Sequence, residues 1–560
     1  MSALRKAAGL AFALAWFVVP VSAETAAHGA HGAVASVNPL ATQAGLEVLK
    51  NGGNAIDAAV AVGITLSVVD GHNSGLGGGC FFLVRRANGE FIAIDGREMA
   101  PAAASRDMFL RDGKADPTLS QTGALASGVP GSVATYSYAV DKFGRKKFSA
   151  LVMPAAKIAE EGFPIDRVYA AKIKSQADDL RGFDASKALL FHADDTPFAE
   201  GEILKQPDLA ASLRALAEQG PDWFYRGPYA IKVAEWMKTH GGLITAEDFA
   251  SYHIALRVPV RGTYRGSEII SFPPPSSGGV HVIEILNMLE NFDLAKLEEP
   301  TRVHVIAETM KLAFADRAHW LGDPDFAPVP QGLLKKEYAR ELASRVHLDS
   351  VAAVPTHGEP PDATGDIFGR KHTTHFSVAD AEGNWVACTQ TINTTFGSKV
   401  IVPGTGIFLN NQMDDFSAQP GTPNAFGLVG AEANAIAPGK RPLSSMSPTI
   451  VLRDGHPILS IGAAGGPTII SQTVLNLIAV LDLGLSLDAA LAQPRFHHQW
   501  QPDELRIEVR ASDAVREFLT KLGHHLDPAT NIGSSNGVAW SNGTFTAASE
   551  PRVPSEAAAW

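Results

Sequence analysis

The sequence feature that most constrains the fold is a pair of β segments separated by only three residues. The first segment covers 373–380 and the second covers 384–391. The connection ends in Gly383, and a three-residue hairpin loop favours glycine there because the third position needs a left-handed backbone. If the residues flanking the loop face each other, Thr373 lies opposite Thr391, with Cβ atoms about 5 Å apart. The register therefore predicts two threonine hydroxyls side by side on one hairpin.

The rest of the sequence alternates helical and strand patterns. Apolar residues recur at helical spacing from Asn38, and a Gly-Gly-Asn turn at 52–54 separates them from an alanine-rich helix. A glycine cluster at 75–79 leads into a strand pattern, and another strand pair surrounds Asp454 and Gly455. Further helical segments occupy 149–161, 209–219, 280–289 and 302–317, and one begins at Pro467. We therefore expect mixed helices and sheets, with the Pro- and Gly-rich tract 354–369 as an exposed loop.

The N-terminus has the composition of a cleaved secretory signal. Arg5 and Lys6 precede an apolar stretch at 7–19, and small residues end the segment at Ala23. The apolar stretch is shorter than the roughly 20 residues that span a bilayer. We expect residues 1–23 to be removed and the mature chain to be periplasmic or secreted, with no membrane attachment.

Charge and cysteine content argue against several classes of protein. The formal net charge is −12 and no Lys or Arg run supplies a phosphate-binding stripe, so we expect no nucleic-acid partner. Cys80 and Cys388 are too few for a disulfide framework or a thiolate metal site. Two buried thiols are the favoured interpretation, and a single bridge between them stays open. The histidine pairs at 497–498 and 524–525 lack the H-E-x-x-H spacing, so we expect no metal and no other cofactor.

A set of dispersed motifs resembles the γ-glutamyltransferase family, bacterial type. In the second part of the chain the motifs are TTHFSV (373–378), GN (383–384), TQTIN (389–393), FG (396–397), NNQMDDF (410–416), RPLSSMSP (441–448), GG (465–466) and PRFHH (494–498). In the first part they are GGNAIDAA (52–59), SGLGGG (74–79), REMAP (97–101), PPPSSGG (273–279) and FADR (314–317). The resemblance covers nearly the whole mature chain.

The resemblance implies an N-terminal-nucleophile hydrolase with an α+β fold, a four-layer αββα sandwich. It implies a precursor that cuts itself between His372 and Thr373, giving a large subunit (24–372) and a small subunit (373–560) that remain one αββα unit. The implied reaction takes γ-glutamyl groups from donors such as glutathione and glutamine. The acceptors are water, amino acids or peptides.

Elementary chemistry agrees with such a maturation. A threonine hydroxyl is a weak nucleophile until a nearby group accepts its proton. An N-terminal α-amine, with an ordinary pKa of about 7.7 to 8.0, can do so, whereas the amide nitrogen of an uncut Thr373 cannot. Cleavage and activity are therefore expected to be coupled.

The resemblance also assigns the remaining site residues. Thr391 positions Thr373, and the backbone amides of Gly465 and Gly466 form the oxyanion hole, consistent with a glycine turn entering a helix. The substrate carboxylate is assigned to Arg97, Ser444 and Ser445, and its ammonium to Asn393, Gln412 and Asp415. A lid loop over 420–442 carries Phe426 where an aromatic residue, often tyrosine, is found. Trp385 is either a core aromatic or part of the acceptor side.

Three alternatives remain at this stage. A glutaryl β-lactam acylase on the same fold would have no substrate ammonium to bind, and Asp415 argues against it. A non-catalytic periplasmic protein that binds glutamyl peptides would keep an intact chain. A serine hydrolase is indicated by the G-x-S-x-G pattern at 533–537, but that motif requires a strand before it and a helix after it, whereas 538–546 has a strand, turn and strand pattern.

Overall fold

The computed structural model describes residues 26–361 and 376–560. The predicted signal segment, His372 and Thr373 lie outside the described residues. The strands, in chain order, are β1 (Ala26–Gly29), β2 (Gly32–Ser36), β3 (Gly79–Arg85), β4 (Phe91–Gly96), β5 (Leu110–Arg111), β6 (Lys114–Ala115), β7 (Phe163–Pro164), β8 (Ile203–Leu204), β9 (Ala255–Arg257), β10 (Val260–Tyr264), β11 (Ser267–Ser271), β12 (Phe376–Asp380), β13 (Trp385–Thr391), β14 (Thr449–Arg453), β15 (His456–Ala464), β16 (Phe496–His498), β17 (Leu505–Glu508), β18 (Leu526–Ala529), β19 (Ser534–Ser541), β20 (Thr544–Ala548) and β21 (Glu556–Ala559).

Helices fill the sequence between the strands. They are α1 (Pro39–Lys50), α2 (Ala55–Val69), α3 (Pro117–Gln121), α4 (Ser132–Phe143), α5 (Phe148–Glu161), α6 (Arg167–Ser175), α7 (Ala177–Arg181), α8 (Asp184–Leu190), α9 (Pro207–Gln219), α10 (Pro221–Tyr225), α11 (Pro228–Thr239), α12 (Ala246–Ser251), α13 (Gly278–Leu289), α14 (Glu299–Trp320), α15 (Lys336–Ala343), α16 (Thr468–Leu481), α17 (Leu487–Ala492) and α18 (Asp513–Leu522). Each segment with a predicted helical pattern is a helix, with ends shifted by a few residues. No described helix is long and apolar enough to cross a membrane.

Two seven-stranded sheets form the centre of the described structure. One has the order β1-β20-β19-β15-β14-β11-β10 and the other the order β21-β2-β12-β13-β3-β4-β9. Side chains alternate between the two faces of each strand, so each sheet presents one face to the other sheet and one face to helices. On β3, Phe81 packs in the cluster between the sheets, whereas Phe82 packs in the cluster against α2.

The same alternation holds on the opposite sheet. Ile270 faces the inter-sheet core, and its neighbour Ile269 packs in the cluster formed with α13, α14 and α16. The layers are therefore helix, sheet, sheet and helix, which confirms the predicted αββα sandwich.

The described part of the central hairpin has the predicted register. Phe376 pairs with Cys388 and Ala379 with Trp385, and the Asp380 amide donates to the Asn384 carbonyl over 3.1 Å. Gly383 has φ +92°, the left-handed conformation that the three-residue loop needs. The pairing of Thr373 with Thr391 lies outside the described residues and stays a prediction.

The two predicted subunits are interleaved in both sheets. The hairpin β12–β13, from the second part of the chain, lies between β2 and β3 from the first part. β11, from the first part, pairs with β14 from the second part. Neither part alone contains either of the two seven-stranded sheets.

The tract before the predicted cleavage site, expected to be an exposed loop, is partly exposed and is anchored at two points within its described residues 354–361. Trp500 donates its indole N–H to the Val354 carbonyl over 2.7 Å, and Trp320 donates to the Gly358 carbonyl over 3.2 Å. The Gly358 amide in turn donates to Asp316 over 2.6 Å. These partners lie far away in sequence, so local composition could not predict them.

Candidate functional site

A cavity of about 520 Å³ opens at one end of the two sheets. It lies where β13 and β15 end and where β12 and β19 begin. It is lined by ten of the residues that the sequence singled out, namely Arg97, Thr391, Asn393, Gln412, Asp415, Phe426, Ser444, Ser445, Gly465 and Gly466. Residues far apart in the chain thus converge on a single site. Thr373 and His372 lie outside the described residues, but Phe376, three positions after Thr373, lines the same cavity.

The end of the hairpin is held in a fixed conformation. The Thr391 hydroxyl accepts a hydrogen bond from the Asn393 amide over 2.8 Å, and the Asn393 side chain donates to the Asn411 carbonyl over 3.0 Å. Asn393 has φ +79°, an unusual conformation that asparagine tolerates better than most residues. The hydroxyl of Thr391 is therefore oriented at the mouth of the site.

Gly465 and Gly466 form the turn between β15 and α16. Their φ values are +131° and +60°, so both positions favour glycine. Within the part of the chain that the structure describes, neither backbone amide donates a hydrogen bond. Two free N–H groups at a cavity wall, just before a helix, have the chemistry of an oxyanion hole.

The predicted lid loop lies against these glycines. A Cβ placed on Gly466 would lie 2.6 Å from Cδ1 of Phe426, so the aromatic ring is in direct contact with the glycine backbone. The loop is tied down on both sides of the ring, because the Ala425 amide donates to Asp414 over 2.9 Å and the Gln499 side chain donates to the Phe426 carbonyl over 3.3 Å. Asp414 thus anchors the lid.

Arg97 and Asp415, predicted to bind opposite charges of a substrate, are ion-paired with each other. Nη2 of Arg97 donates to Oδ2 of Asp415 over 2.5 Å. The guanidinium also donates from Nε to the Pro442 carbonyl, and it is fully buried. Burial raises the pKa of Asp415, while Arg97 is the main group opposing that rise. The contact between the two groups offsets part of the cost of burying either charge alone.

Two polar atoms at this pair have no hydrogen-bond partner among the described residues: Nη1 of Arg97 and Oε1 of Gln412. Gln412 donates its Nε2 to Asp415 over 3.1 Å, which leaves its carbonyl oxygen turned away from that carboxylate. An unsatisfied donor beside an unsatisfied acceptor suits a ligand that carries a carboxylate and an ammonium on the same carbon.

Ser444 and Ser445 are held by the 273–279 loop and by Arg317. The Ser444 amide donates to the Pro275 carbonyl over 2.8 Å, and Arg317 donates to the Ser445 hydroxyl over 3.0 Å. Arg317 also donates to Ser277, and although burial lowers its pKa to about 10, it remains a cation at neutral pH. Arg317 lines the cavity and was not singled out from sequence, although it ends the FADR motif.

Glu98 is a second residue that the sequence analysis did not single out. It follows Arg97 and is completely buried, and neither carboxylate oxygen has a hydrogen-bond partner within 26–361 and 376–560. Burial raises its pKa to about 7, opposed chiefly by Arg97, whose Nη1 lies 3.6 Å away. Glu98 therefore adds a titratable group directly behind the Arg97–Asp415 pair.

Several other sequence interpretations are settled by position. Cys80 and Cys388 are free, buried thiols, as favoured. Trp385 is 1% exposed and belongs to the inter-sheet core, so it does not line the cavity. The G-x-S-x-G pattern begins β19, which turns directly into β20, so it lacks the helix that a nucleophile elbow requires.

The described residues contain one histidine cluster whose spacing the sequence could not reveal. Ligand atoms of His304, Glu308 and His524 lie within 4.8 Å of one another. The two imidazoles already bond to each other over 2.7 Å, and Lys311 lies 3.0 Å from Glu308. An existing cation thus neutralises the carboxylate, and we assign no metal there.

The αββα layers, together with a cavity at the end of the central hairpin, define an N-terminal-nucleophile hydrolase fold. The family model described as gamma-glutamyltranspeptidase matches residues 41–560, and the chain belongs to that enzyme family.

Individual relatives agree with this assignment. The glutathione hydrolase proenzyme of Escherichia coli (strain K12) is 46% identical over 526 residues, which are 93% of this chain and 90% of the relative. The acylase ACY 1 proenzyme of Pseudomonas sp. (strain SE83) is 37% identical over 538 residues, 93% and 92% of the two chains.

Solved structures agree with this family assignment. The cephalosporin acylase from Bacillus halodurans superposes with a TM-score of 0.86 at 28% identity, covering 98% of this chain and 99% of that one. The gamma-glutamyltranspeptidase of Helicobacter pylori has a TM-score of 0.56 at 43% identity, covering 57% of this chain and 92% of that chain.

Proposed function

We propose that this protein is a self-cleaving γ-glutamyltransferase and glutathione hydrolase that uses Thr373 as its nucleophile. The observation that carries the proposal is the juxtaposition, in one cavity, of the Arg97–Asp415 pair with the free amides of Gly465 and Gly466. The pair recognises the charged α-carbon of a γ-glutamyl donor. The glycine amides donate hydrogen bonds to the γ-carbonyl oxygen of the donor as negative charge develops on it.

Maturation proceeds by attack of the Thr373 hydroxyl on the carbonyl carbon of His372. The bond between that carbon and the Thr373 nitrogen breaks, and the nitrogen takes up the proton that the hydroxyl loses. Water then hydrolyses the resulting ester, which leaves a carboxylate on His372 and a free α-amine on Thr373. The products are chains 24–372 and 373–560, which remain together as a heterodimer because their strands alternate within both sheets.

In the mature enzyme the α-amine of Thr373 acts as the general base. It takes the hydroxyl proton as the oxygen attacks the γ-carbonyl carbon, and it delivers that proton to the leaving amine as the amide bond breaks. The γ-glutamyl ester is then attacked by water or by an acceptor amine, whose proton returns through the same α-amine to the Thr373 oxygen. The Gly465 and Gly466 amides stabilise the oxyanion in both halves.

Donor recognition follows from the two unsatisfied atoms. The substrate carboxylate accepts from Nη1 of Arg97 and from the Ser444 and Ser445 hydroxyls, while Arg317 holds Ser445 in place. The substrate ammonium donates to Oε1 of Gln412 and to Asp415, with Asn393 at the same wall. Glutathione and glutamine both present this charged group.

A second candidate, acylase activity on glutaryl side chains, is favoured by the acylase relatives and by the cephalosporin acylase structure. Two features of this chain oppose it. A glutaryl group has no ammonium, so Oε1 of Gln412 would stay unsatisfied, and the Asp415 carboxylate would interact with Arg97 and Gln412 but with no group of the ligand. We therefore place γ-glutamyl donors first.

We also propose export to the periplasm or the outside of the cell, because residues 1–23 have a signal composition.

The experiment is the intact mass of the purified protein under denaturing conditions, with N-terminal sequencing, followed by release of nitroaniline from γ-glutamyl-p-nitroanilide. We expect two chains, the smaller beginning at Thr373, and release of nitroaniline. A single chain that releases none would contradict the proposal and favour a binding protein. A cut enzyme that prefers the glutaryl anilide would favour the second candidate.

A further inference from the structure

The cavity is also lined by residues outside the proposed donor site, and we call this part of the lining the second end. It includes Asp70, His72, Asn73 and Lys172. None of these residues is required for recognising the γ-glutamyl group, whose charges are met at the Arg97 end. The loop that follows Thr391 lies between the two ends.

That loop fixes the second end relative to the nucleophile. The Ile392 amide donates to the Asn73 carbonyl over 3.2 Å, and the Phe396 amide donates to the His72 carbonyl over 2.8 Å. Lys172 reaches the same loop, with Nζ 3.4 Å from the Thr395 hydroxyl. The ammonium of Lys172 therefore lies beside the loop that follows the hairpin.

Lys172 makes no close ion pair among the described residues. It is half-buried on α6, and within the described residues no carboxylate oxygen lies within 4.0 Å of its Nζ. Its contact with Thr395 is long and neutral. A half-buried ammonium at a cavity wall with no ion-pair partner is suited to a ligand anion.

Two acidic residues, Asp166 and Asp70, line this end as well, and the charge of Lys172 opposes the rise of the Asp70 pKa. Asp166 accepts two backbone N–H bonds at the start of α6, from Val168 and Tyr169. Asp70 accepts from Asn73 and Ser74, and burial raises its pKa to about 7. Burial lowers the pKa of His72 to about 3, so His72 is neutral at physiological pH. Lys172 is the cation at this end.

We infer that this end is the acceptor subsite and that Lys172 binds the carboxylate of an acceptor amino acid or peptide. An acceptor must place its amine at the γ-glutamyl ester, so its carboxylate extends away from Thr373 toward Lys172. The peptide that leaves a glutathione-like donor exits from the place where an acceptor peptide enters, so its carboxylate meets the same lysine. The inference rests on the proposed function and deepens it.

The test compares acceptors with and without a carboxylate. With γ-glutamyl-p-nitroanilide as donor, whose leaving group has no carboxylate, transfer is measured to glycylglycine and to glycylglycinamide. We expect the wild-type enzyme to show a lower KM for the acid. K172M keeps the length of the side chain and loses the charge, and it should raise KM for glycylglycine by about tenfold while leaving KM for the amide unchanged. Hydrolysis of the anilide without acceptor should not change.

A matched control is available on the same helix, because Lys174 is exposed and does not line the cavity. K174M should leave both acceptor KM values unchanged. As a second arm, K172M should raise KM for glutathione and leave KM for glutathione amidated at its C-terminal carboxylate unchanged.

The outcomes separate this inference from the proposed function. An enzyme that releases nitroaniline without acceptor but has equal KM for acid and amide acceptors would overturn the subsite alone. K172M that raises both KM values equally would show a structural effect and overturn it as well. An enzyme that releases no nitroaniline at all would overturn the proposed function together with the subsite.

Discussion

The ring of Phe426 rests on the backbone of Gly466, so close that a Cβ on the glycine would lie 2.6 Å from the ring. The residue proposed to stabilise the oxyanion is thus in direct contact with the residue proposed to close the site. The residue at position 466 must adopt a left-handed backbone conformation, and it must also leave a flat surface against which the aromatic ring packs.

The first prediction is that Gly466→Ala displaces the ring and strains the turn. We expect kcat for anilide hydrolysis to fall by about 100-fold, the size associated with losing one oxyanion donor. Gly484→Ala is the control, since Gly484 has φ +65° and open space around it. If both variants lose activity equally, the loss comes from backbone strain in general and not from the contact with Phe426.

The second prediction concerns self-cleavage. Thr373→Ala removes both the attacking hydroxyl and the route to a free α-amine, so the purified protein should be one chain without activity. Thr373→Ser keeps a hydroxyl and should be cut, although more slowly. Denaturing mass spectrometry over time reads out both variants. Cleavage of the alanine variant after His372 would refute the mechanism.

The third prediction concerns the ion pair of Arg97 with Asp415. Asp415→Asn leaves the buried guanidinium without its carboxylate and removes the acceptor for the donor's ammonium. We expect kcat/KM for the γ-glutamyl anilide to fall by about 100-fold, within the range for breaking a buried charge pair.

The control for that prediction is a donor that lacks the ammonium. The glutaryl anilide should lose much less than the γ-glutamyl anilide, and self-cleavage should be retained. Asp414→Asn, at the neighbouring lid anchor, should affect both donors alike because Asp414 bonds to Ser120 and Ala425. Equal losses in Asp415→Asn would assign Asp415 a structural role only.

The fourth prediction is a pH-dependent change in stability from Glu98. Its pKa is raised by burial to about 7, above the unfolded value, so its ionisation opposes folding. That contribution is absent below pH 4.5, grows as pH rises toward 7, and reaches at most about 3 kcal/mol above it. Glu98→Gln cannot ionise, so its Tm relative to wild type should increase between pH 5 and pH 8. A Tm difference that is constant across this range would contradict the burial argument.

Much of the fold could be predicted because its signals are local. The register of β12 with β13 depends on a three-residue loop ending in Gly383, and the layer structure depends on alternation within each strand. The site residues were found because they lie within motifs that resemble one family. Local signals also gave the start of α2, which begins directly after its Asn54 cap.

What could not be predicted depends on pairs that are distant in sequence. The direct bond between Arg97 and Asp415 joins residues 318 positions apart. The sequence analysis assigned the two residues to different charges of the substrate and did not predict that they pair with each other. Arg317 and Glu98 lie within motifs, but the motifs do not reveal their contacts. The structure shows that Arg317 donates to Ser445 and that the Glu98 carboxylate has no hydrogen-bond partner within the described ranges. The hydrogen bond from Trp500 to the Val354 carbonyl also joins residues distant in sequence, so local patterns could not predict it.

The position of the β12–β13 hairpin between β2 and β3 has a kinetic consequence. Once the chain is cut before β12, the hairpin can leave only if the ladders on both of its sides open together, at the centre of a sheet buried under helices. Separation of the fragments would then require the whole molecule to unfold, so fragments of different copies should not exchange. Isotopically heavy and light enzyme, mixed after maturation, should remain unscrambled for as long as the folded state survives.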